Sequence, residues 1–296
     1  MPVTEALADG ALAPPQPRMI ELPARGGAMA LHQWGLADRP IDILWSHANG
    51  FNAWTYRSLL APLGERFRVA AIDLRGHGAT RLPTDMEGRT SWYGLRDDLL
   101  ALLEALDQPP MVLAGHSMGG ATSLMAAAEA PGRVKALGLF DPVIMSQDVI
   151  RRANPSEFAE SPLAVGARRR RAVFESREAV LAAYTGRGAF RTWPQEMVAD
   201  YVAGGFKDTA DGQVELACTP AWEASNFTSH QHDTAGAFAR TRCPVEVWRA
   251  EEGSTCRFEP DADGGRIRLE TVPGTTHFLP MERRELVRER LTALAG

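Results

Sequence analysis

Cysteine is scarce in this 296-residue sequence: Cys218, Cys243 and Cys256 are the only three, and none forms a CxxC pair. An odd count without close spacing argues against a disulfide framework and against a zinc site. Positive charge is in deficit as well. The formal net charge of −5 argues against a nucleic-acid-binding surface. Of the 32 basic residues only Lys135 and Lys207 are lysine, a bias that reads as genome composition. The single basic run, residues 168–171, lies in a helix-prone segment and reads as a solvated helix face. Long apolar runs are missing too. None approaches the roughly 18 residues needed to span a bilayer, so no membrane partner is expected. The opening MPVTEALADGALAPPQPR has neither a basic start nor an apolar stretch, which leaves no visible secretory signal and makes cytoplasmic residence the expectation. Residues 1–18, rich in Ala and Pro and without period, are expected to form a mobile leader. No G-x-G-x-x-G loop, Walker A sequence or internal repeat occurs, and no cofactor is expected.

What is present is ordinary globular composition, with 45% hydrophobic and 23% charged residues. Short apolar runs alternate with helix-like stretches. Residues 41–45, 69–72, 111–114, 134–140, 245–248 and 267–272 read as strands, and residues 54–63, 91–106, 121–130 and 281–294 as helices. Parallel neighbours need a crossover, usually a helix, so this alternation predicts an α/β fold with a mostly parallel sheet. Residues 143–240 differ: helix-prone, without a clear strand, and scattered with Trp193, Tyr201, Phe206, Trp222 and Phe227. They read as an α-helical cap inserted into a core of residues 19–142 and 241–296.

Chemistry concentrates in Gly115-His116-Ser117-Met118-Gly119, which matches G-x-S-x-G, with Gly120 next. An apolar strand runs into it and an Ala-rich helix runs out. So tight a strand-to-helix turn strains its central residue, and flanking glycines let the two elements approach. A serine that merely caps the helix needs no such glycines. Three further motifs stand at strand ends in chain order: His47-Ala48-Asn49-Gly50-Phe51, Asp73-Leu74-Arg75-Gly76-His77-Gly78, and Pro273-Gly274-Thr275-Thr276-His277-Phe278.

On these four motifs the chain, from about residue 20 to its end, resembles the α/β-hydrolase superfamily of serine esterases and lipases. The resemblance implies a doubly wound eight-stranded sheet with a nucleophile elbow at Ser117 and His277 as general base. It also implies an oxyanion hole formed by the backbone N–H of Met118 and by Asn49, through its backbone or its side chain. Ala48 stands where the family mostly has Gly. Most of the family carries its acid shortly after the seventh strand, where this chain has Gly253. Asp141, ending the preceding strand, is the leading acid, as in some haloalkane dehalogenases, with Glu251 or Glu252 as the alternative. Those dehalogenases and the related epoxide hydrolases use an Asp nucleophile, so Ser117 disfavours both chemistries.

The remaining histidines have simpler expectations. His32 falls in a strand-like stretch, and His47, His77 and His116 are expected to fix loops by hydrogen bonding. His230 and His232 form an H-x-H pair without the third ligand that a metal would need, so no metal is expected. A mostly apolar pocket would draw on Phe51, Trp54, Trp193, Trp222 and Phe278, with Phe206 and Phe227 as further lining. The expected activity is hydrolysis of a small apolar ester through an acyl-enzyme. A lactonase, a C–C bond hydrolase and a cofactor-free perhydrolase or haloperoxidase share the same triad. A non-catalytic small-molecule receptor is the reading from outside enzymology.

Overall fold

The computed structural model describes residues 17–146, 148, 150, 155–259 and 265–296. Eight strands form one sheet: β1 (Arg18–Leu22), β2 (Gly27–Trp34), β3 (Ile43–Ser46), β4 (Val69–Ile72), β5 (Met111–His116), β6 (Val134–Phe140), β10 (Val245–Ala250) and β11 (Ile267–Val272). Their order is β1-β2-β4-β3-β5-β6-β10-β11. β2 runs antiparallel to β1 and β4, and every other pairing is parallel. β3, β4 and β5 are buried throughout, as expected of strands covered on both faces.

Helices cover both faces. α1 (Tyr93–Leu106), α2 (Met118–Glu129) and α8 (Thr234–Arg240) lie on one side, and α9 (Arg284–Ala295) on the other. Alternation along the strands assigns the two cores: Leu44 of β3 belongs to the core that holds Leu99 and Leu124, whereas its neighbours Ile43 and Trp45 belong to the one that holds Val287 and Leu291. Most of the expected leader, residues 1–16, lies outside the described residues, but Arg18 already pairs with Leu31 in the sheet. Among the described residues no helix is long and apolar enough to cross a membrane.

Between β6 and β10 the chain leaves the sheet. Helices α3 (Pro155–Ala159), α4 (Pro162–Arg168), α5 (Arg177–Tyr184), α6 (Gln195–Gly205) and α7 (Pro220–Thr228) make up most of this insertion. It also holds a small antiparallel sheet of β7 (Val173–Phe174), β8 (Phe206–Asp208) and β9 (Val214–Leu216), ordered β7-β9-β8. The expectation of a stretch without strands is thereby corrected; strands of two or three residues are too short to show alternation. Helix α8, within the stretch expected as cap, buries Ala237 and Phe238 in the same core as Leu124 and Met125 of α2.

Candidate active site

β5 runs into α2 through Ser117, whose φ of 56° and ψ of −120° put a non-glycine residue in strained backbone. Such a conformation costs on the order of 1–3 kcal/mol and persists only where its surroundings over-determine it. Here the Ser117 N–H donates to the Phe140 carbonyl at 3.1 Å, and its own carbonyl accepts from Ala121 at 3.1 Å and Val143 at 3.2 Å. The two flanking glycines are sterically required. A Cβ on Gly115 would stand 2.6 Å from the Gly119 carbonyl carbon, and one on Gly119 would stand 2.2 Å from the Ser46 oxygen.

The loop after β11 brings His277 to this serine, with Nε2 3.0 Å from Ser117 Oγ. On the other side of the ring, Nδ1 lies 2.5 Å from Asp141 Oδ2. Asp141 directly follows β6 with a left-handed φ of 41° and is fully buried. Its carboxylate is densely solvated by protein. Oδ1 accepts from the Ala250 N–H at 2.8 Å and Ser254 Oγ at 2.6 Å, and Oδ2 accepts from the Thr255 N–H at 3.1 Å. Burial pushes its pKa up, but the hydrogen bond and charge of His277, with the Ser254 and Ala250 donors, outweigh burial and hold it below the ordinary value. Glu251 and Glu252 are exposed, and no hydrogen bond joins either carboxylate to His277 among the described residues. Glu251 accepts instead from the Gly274 N–H at 2.9 Å, bracing the loop that carries the histidine. The end of β10 and the segment after it, where the family resemblance places an acid, supply donors from Ala250, Ser254 and Thr255 to Asp141 instead.

His116, between Gly115 and Ser117, adds a buried link. The His277 carbonyl can only accept, so His116 donates to it from Nε2 at 2.7 Å and accepts at Nδ1 from the Tyr56 hydroxyl at 2.9 Å. Tyr56 in turn accepts from the Ala48 N–H at 3.2 Å. Burial above all, then the nearby His277 charge, pushes the His116 pKa down to about 3, so the ring stays neutral. His47 and His77 tie the loops after β3 and β4 together: His47 Nε2 accepts from Leu74 at 2.9 Å, and His77 Nε2 accepts from Gly50 at 3.1 Å. His32 meets Asp73 at 3.2 Å. His230 bonds the Phe227 carbonyl at 2.8 Å and His232 stacks on Trp92 at 4.6 Å.

Asn49 and Met118 both line the cavity beside Ser117. Among the described residues neither backbone N–H donates to a protein group. The Asn49 side chain is committed elsewhere: Nδ2 donates to the Glu223 carbonyl at 2.9 Å and Oδ1 accepts from Asn226 at 2.8 Å. That removes the side-chain option for an oxyanion donor and leaves the backbone one. The same contacts clamp the loop to α7, and Tyr201 of α6 donates to the Gly50 carbonyl at 3.2 Å.

The cavity holds about 880 Å³ between the strand ends and the insertion. Phe51 and Phe278 line it, as does Phe227; Trp54, Trp193, Trp222 and Phe206 do not. Trp54 stacks on Trp34 at 5.9 Å, Trp193 stands edge-on behind Phe51 at 5.0 Å, and Trp222 donates from its indole to the Arg75 carbonyl at 2.8 Å. Phe206 is buried among cap aromatics. Sequence reasoning missed Trp92, Met145 and Phe158 in the wall. Only the packing of the insertion selects them. It also misjudged Arg170 in the basic run, which is turned inward to Glu223 at 2.5 Å and the Tyr201 hydroxyl at 2.7 Å.

A relative from Mesorhizobium japonicum, 2-(acetamidomethylene)succinate hydrolase, is 26% identical over 244 residues, covering 80% of this chain and 81% of its own. A shorter match, 35% identical over 118 residues, joins 39% of this chain to 41% of 2-hydroxy-6-oxo-2,4-heptadienoate hydrolase from Pseudomonas putida. A crystal structure of E-2-(acetamidomethylene)succinate hydrolase superposes with a TM-score of 0.76 at 22% identity, over 94% of this chain and 98% of that one, which speaks to the fold alone. The alpha/beta hydrolase family model matches residues 43–290. With that match across most of its length, the chain belongs to the alpha/beta hydrolase family.

Proposed function

We propose that this protein is a serine hydrolase that cleaves a carboxylic ester, or a related acyl bond, through an acyl-enzyme on Ser117. The reading is carried by one observation: an unbroken line from Ser117 Oγ through the His277 ring to the Asp141 carboxylate, with contacts of 3.0 and 2.5 Å. A serine hydroxyl is a weak nucleophile until a neighbouring base takes its proton. His277 Nε2 accepts that proton as Oγ attacks the substrate carbonyl, and the ionised Asp141 stabilises the imidazolium through Nδ1–H. The developing oxyanion meets the N–H groups of Met118 and Asn49, which are in place before the reaction and need no reorganisation. His277 then returns the proton to the leaving group. Water enters, is deprotonated by the same nitrogen and releases the acid.

Among the related chemistries, the match to 2-hydroxy-6-oxo-2,4-heptadienoate hydrolase supports C–C bond hydrolysis as a second reading. Turnover of p-nitrophenyl esters from acetate to dodecanoate, with wild type beside Ser117→Ala, tests the first. Hydrolysis that disappears in the variant supports the esterase, and its best chain length sizes the cavity. A wild type inert on the whole series but active on a 2-hydroxy-6-oxo dienoate moves the assignment to the second.

A further inference from the structure

The cavity wall beside Ser117 carries more positive charge than it neutralises. Among the described residues, two guanidinium groups, Arg170 and Arg257, and one carboxylate, Glu223, line it. Arg170 is occupied by Glu223 at 2.5 Å and by the hydroxyls of Tyr201 at 2.7 Å and Tyr184 at 3.3 Å. The Asp141 carboxylate is buried and given to His277. His230, also in the wall, is pushed by burial towards its neutral form and donates to the Phe227 carbonyl. Arg257 differs: among the described residues its side chain makes no hydrogen bond and no ion pair.

The backbone of Arg257 is nevertheless fixed. Its N–H donates to the Ile144 carbonyl at 2.8 Å, and the Ile144 N–H donates to the Thr255 carbonyl at 3.1 Å, so Cys256 bridges Ile144 in parallel. Cys256 is buried in the core. Alternation in an extended segment then turns Thr255 and Arg257 to the opposite side, where both line the cavity, roughly 7 Å apart along the chain. Thr255 Oγ1 is 3.5 Å from His277 Nδ1, so Arg257 is the next cavity-facing position along the segment that holds the triad acid.

We propose that Arg257 anchors a single carboxylate on the substrate, whose remaining body is apolar. The inference rests on the reading of Ser117 as nucleophile. A planar guanidinium pairs with a carboxylate through two parallel hydrogen bonds. Covering it with an uncharged substrate strips its water and returns nothing, whereas an anionic one replaces that water with a charge-assisted pair. The one uncompensated positive charge among the described lining residues balances a monoanion, which favours a carboxylate over a phosphate dianion.

Mono-p-nitrophenyl esters of glutaric to suberic acid, each paired with its methyl-capped counterpart, provide the test in wild type and Arg257→Met. Wild type is expected to favour the free acid at least tenfold in kcat/KM at the best length. In Arg257→Met that ratio should fall towards one through KM. Because the ratio is internal to each protein, partial misfolding does not mimic the effect. A wild type without preference, or a ratio that survives the substitution, overturns the proposal. Hexanoate, one carboxylate on an apolar chain, supplies a readout free of turnover: it should raise the Tm of Ser117→Ala but not of Ser117→Ala/Arg257→Met. Equal shifts, or none in either, overturn the anion site. Failure of the nucleophile appears separately, as ester hydrolysis that persists in Ser117→Ala.

Discussion

Asp141→Asn keeps the volume of the side chain and removes its charge, and the hydrogen bonds around it dictate the consequence. Both carboxylate oxygens only accept: Oδ1 from Ala250 at 2.8 Å and Ser254 at 2.6 Å, Oδ2 from Thr255 at 3.1 Å and His277 at 2.5 Å. An asparagine amide must place an NH2 where one of those oxygens stood. In the Oδ1 position it confronts the Ala250 N–H, leaving a buried donor unsatisfied at a cost of about 1–3 kcal/mol. In the Oδ2 position it confronts the Thr255 N–H in the same way, and it donates to His277 Nδ1, forcing the proton onto Nε2, so that Ser117 faces a donor and loses its base. A wrong tautomer of this kind lowers kcat on the order of 10⁴-fold in serine proteases, or roughly 5 kcal/mol of transition-state stabilisation. The prediction is a kcat at least a thousandfold below wild type on the best ester, with the cooperative thermal transition retained by circular dichroism. Glu251→Gln is the matched control, since its carboxylate braces Gly274 and does not touch His277. A folded Asp141→Asn within threefold of the wild-type kcat refutes the reasoning.

Three other predictions follow from the same contacts. Tyr56→Phe removes the hydroxyl that joins the Ala48 N–H to His116; kcat should fall about tenfold with KM little changed, and an unchanged kcat contradicts a positioning role for that chain. Gly119→Ala drives a methyl to 2.2 Å from the Ser46 oxygen and 2.6 Å from the His47 oxygen, so soluble folded yield or Tm should collapse, and a shift below 2 °C argues against the tight elbow. His77, His116 and His232 have their pKa values pushed down to about 3, by burial first and by neighbouring positive charge second. Unfolded, each binds a proton near pH 6.5, while the folded protein refuses it until about pH 3. Stability therefore falls as pH drops from 6.5 towards 3, by on the order of 1 kcal/mol per pH unit for each histidine. Tm measured from pH 8 to 4.5 should be level above pH 7 and decline steeply below 6.5; a flat profile contradicts neutral burial of these rings.

The sheet was largely legible because six of its eight strands read as short apolar runs; β1 and β2 did not, beyond a strand-like stretch at His32. Residues 69–72, 134–140 and 267–272 correspond to β4, β6 and β11 with the bounds read from sequence. The elbow was legible because close packing there leaves no room for a side chain at Gly115 or Gly119. The insertion was not, for reasons that are physical. Its strands are too short for a period of two to register. Arg170 lies in an arginine run that composition assigns to solvent, yet Glu223 and Tyr201, 53 and 31 residues away, draw it inward. Trp54, Trp193 and Trp222 have the chemistry of pocket residues, but their packing partners decide which rings reach the cavity. The choice between Asp141 and the glutamates lay beyond local pattern for the same reason: donors from Ala250, Ser254 and Thr255 converge from a segment more than a hundred residues away.

The central claim is that Ser117 becomes covalently acylated, and mass spectrometry of the acid-quenched protein tests it most directly. Wild type mixed briefly with p-nitrophenyl butyrate should gain one butyryl group, mapped by peptide digestion to Ser117, and the adduct should decay as acid appears. Ser117→Ala should gain none and release no nitrophenol above background. Steady hydrolysis by Ser117→Ala, or an adduct that maps to any other residue, would contradict the account.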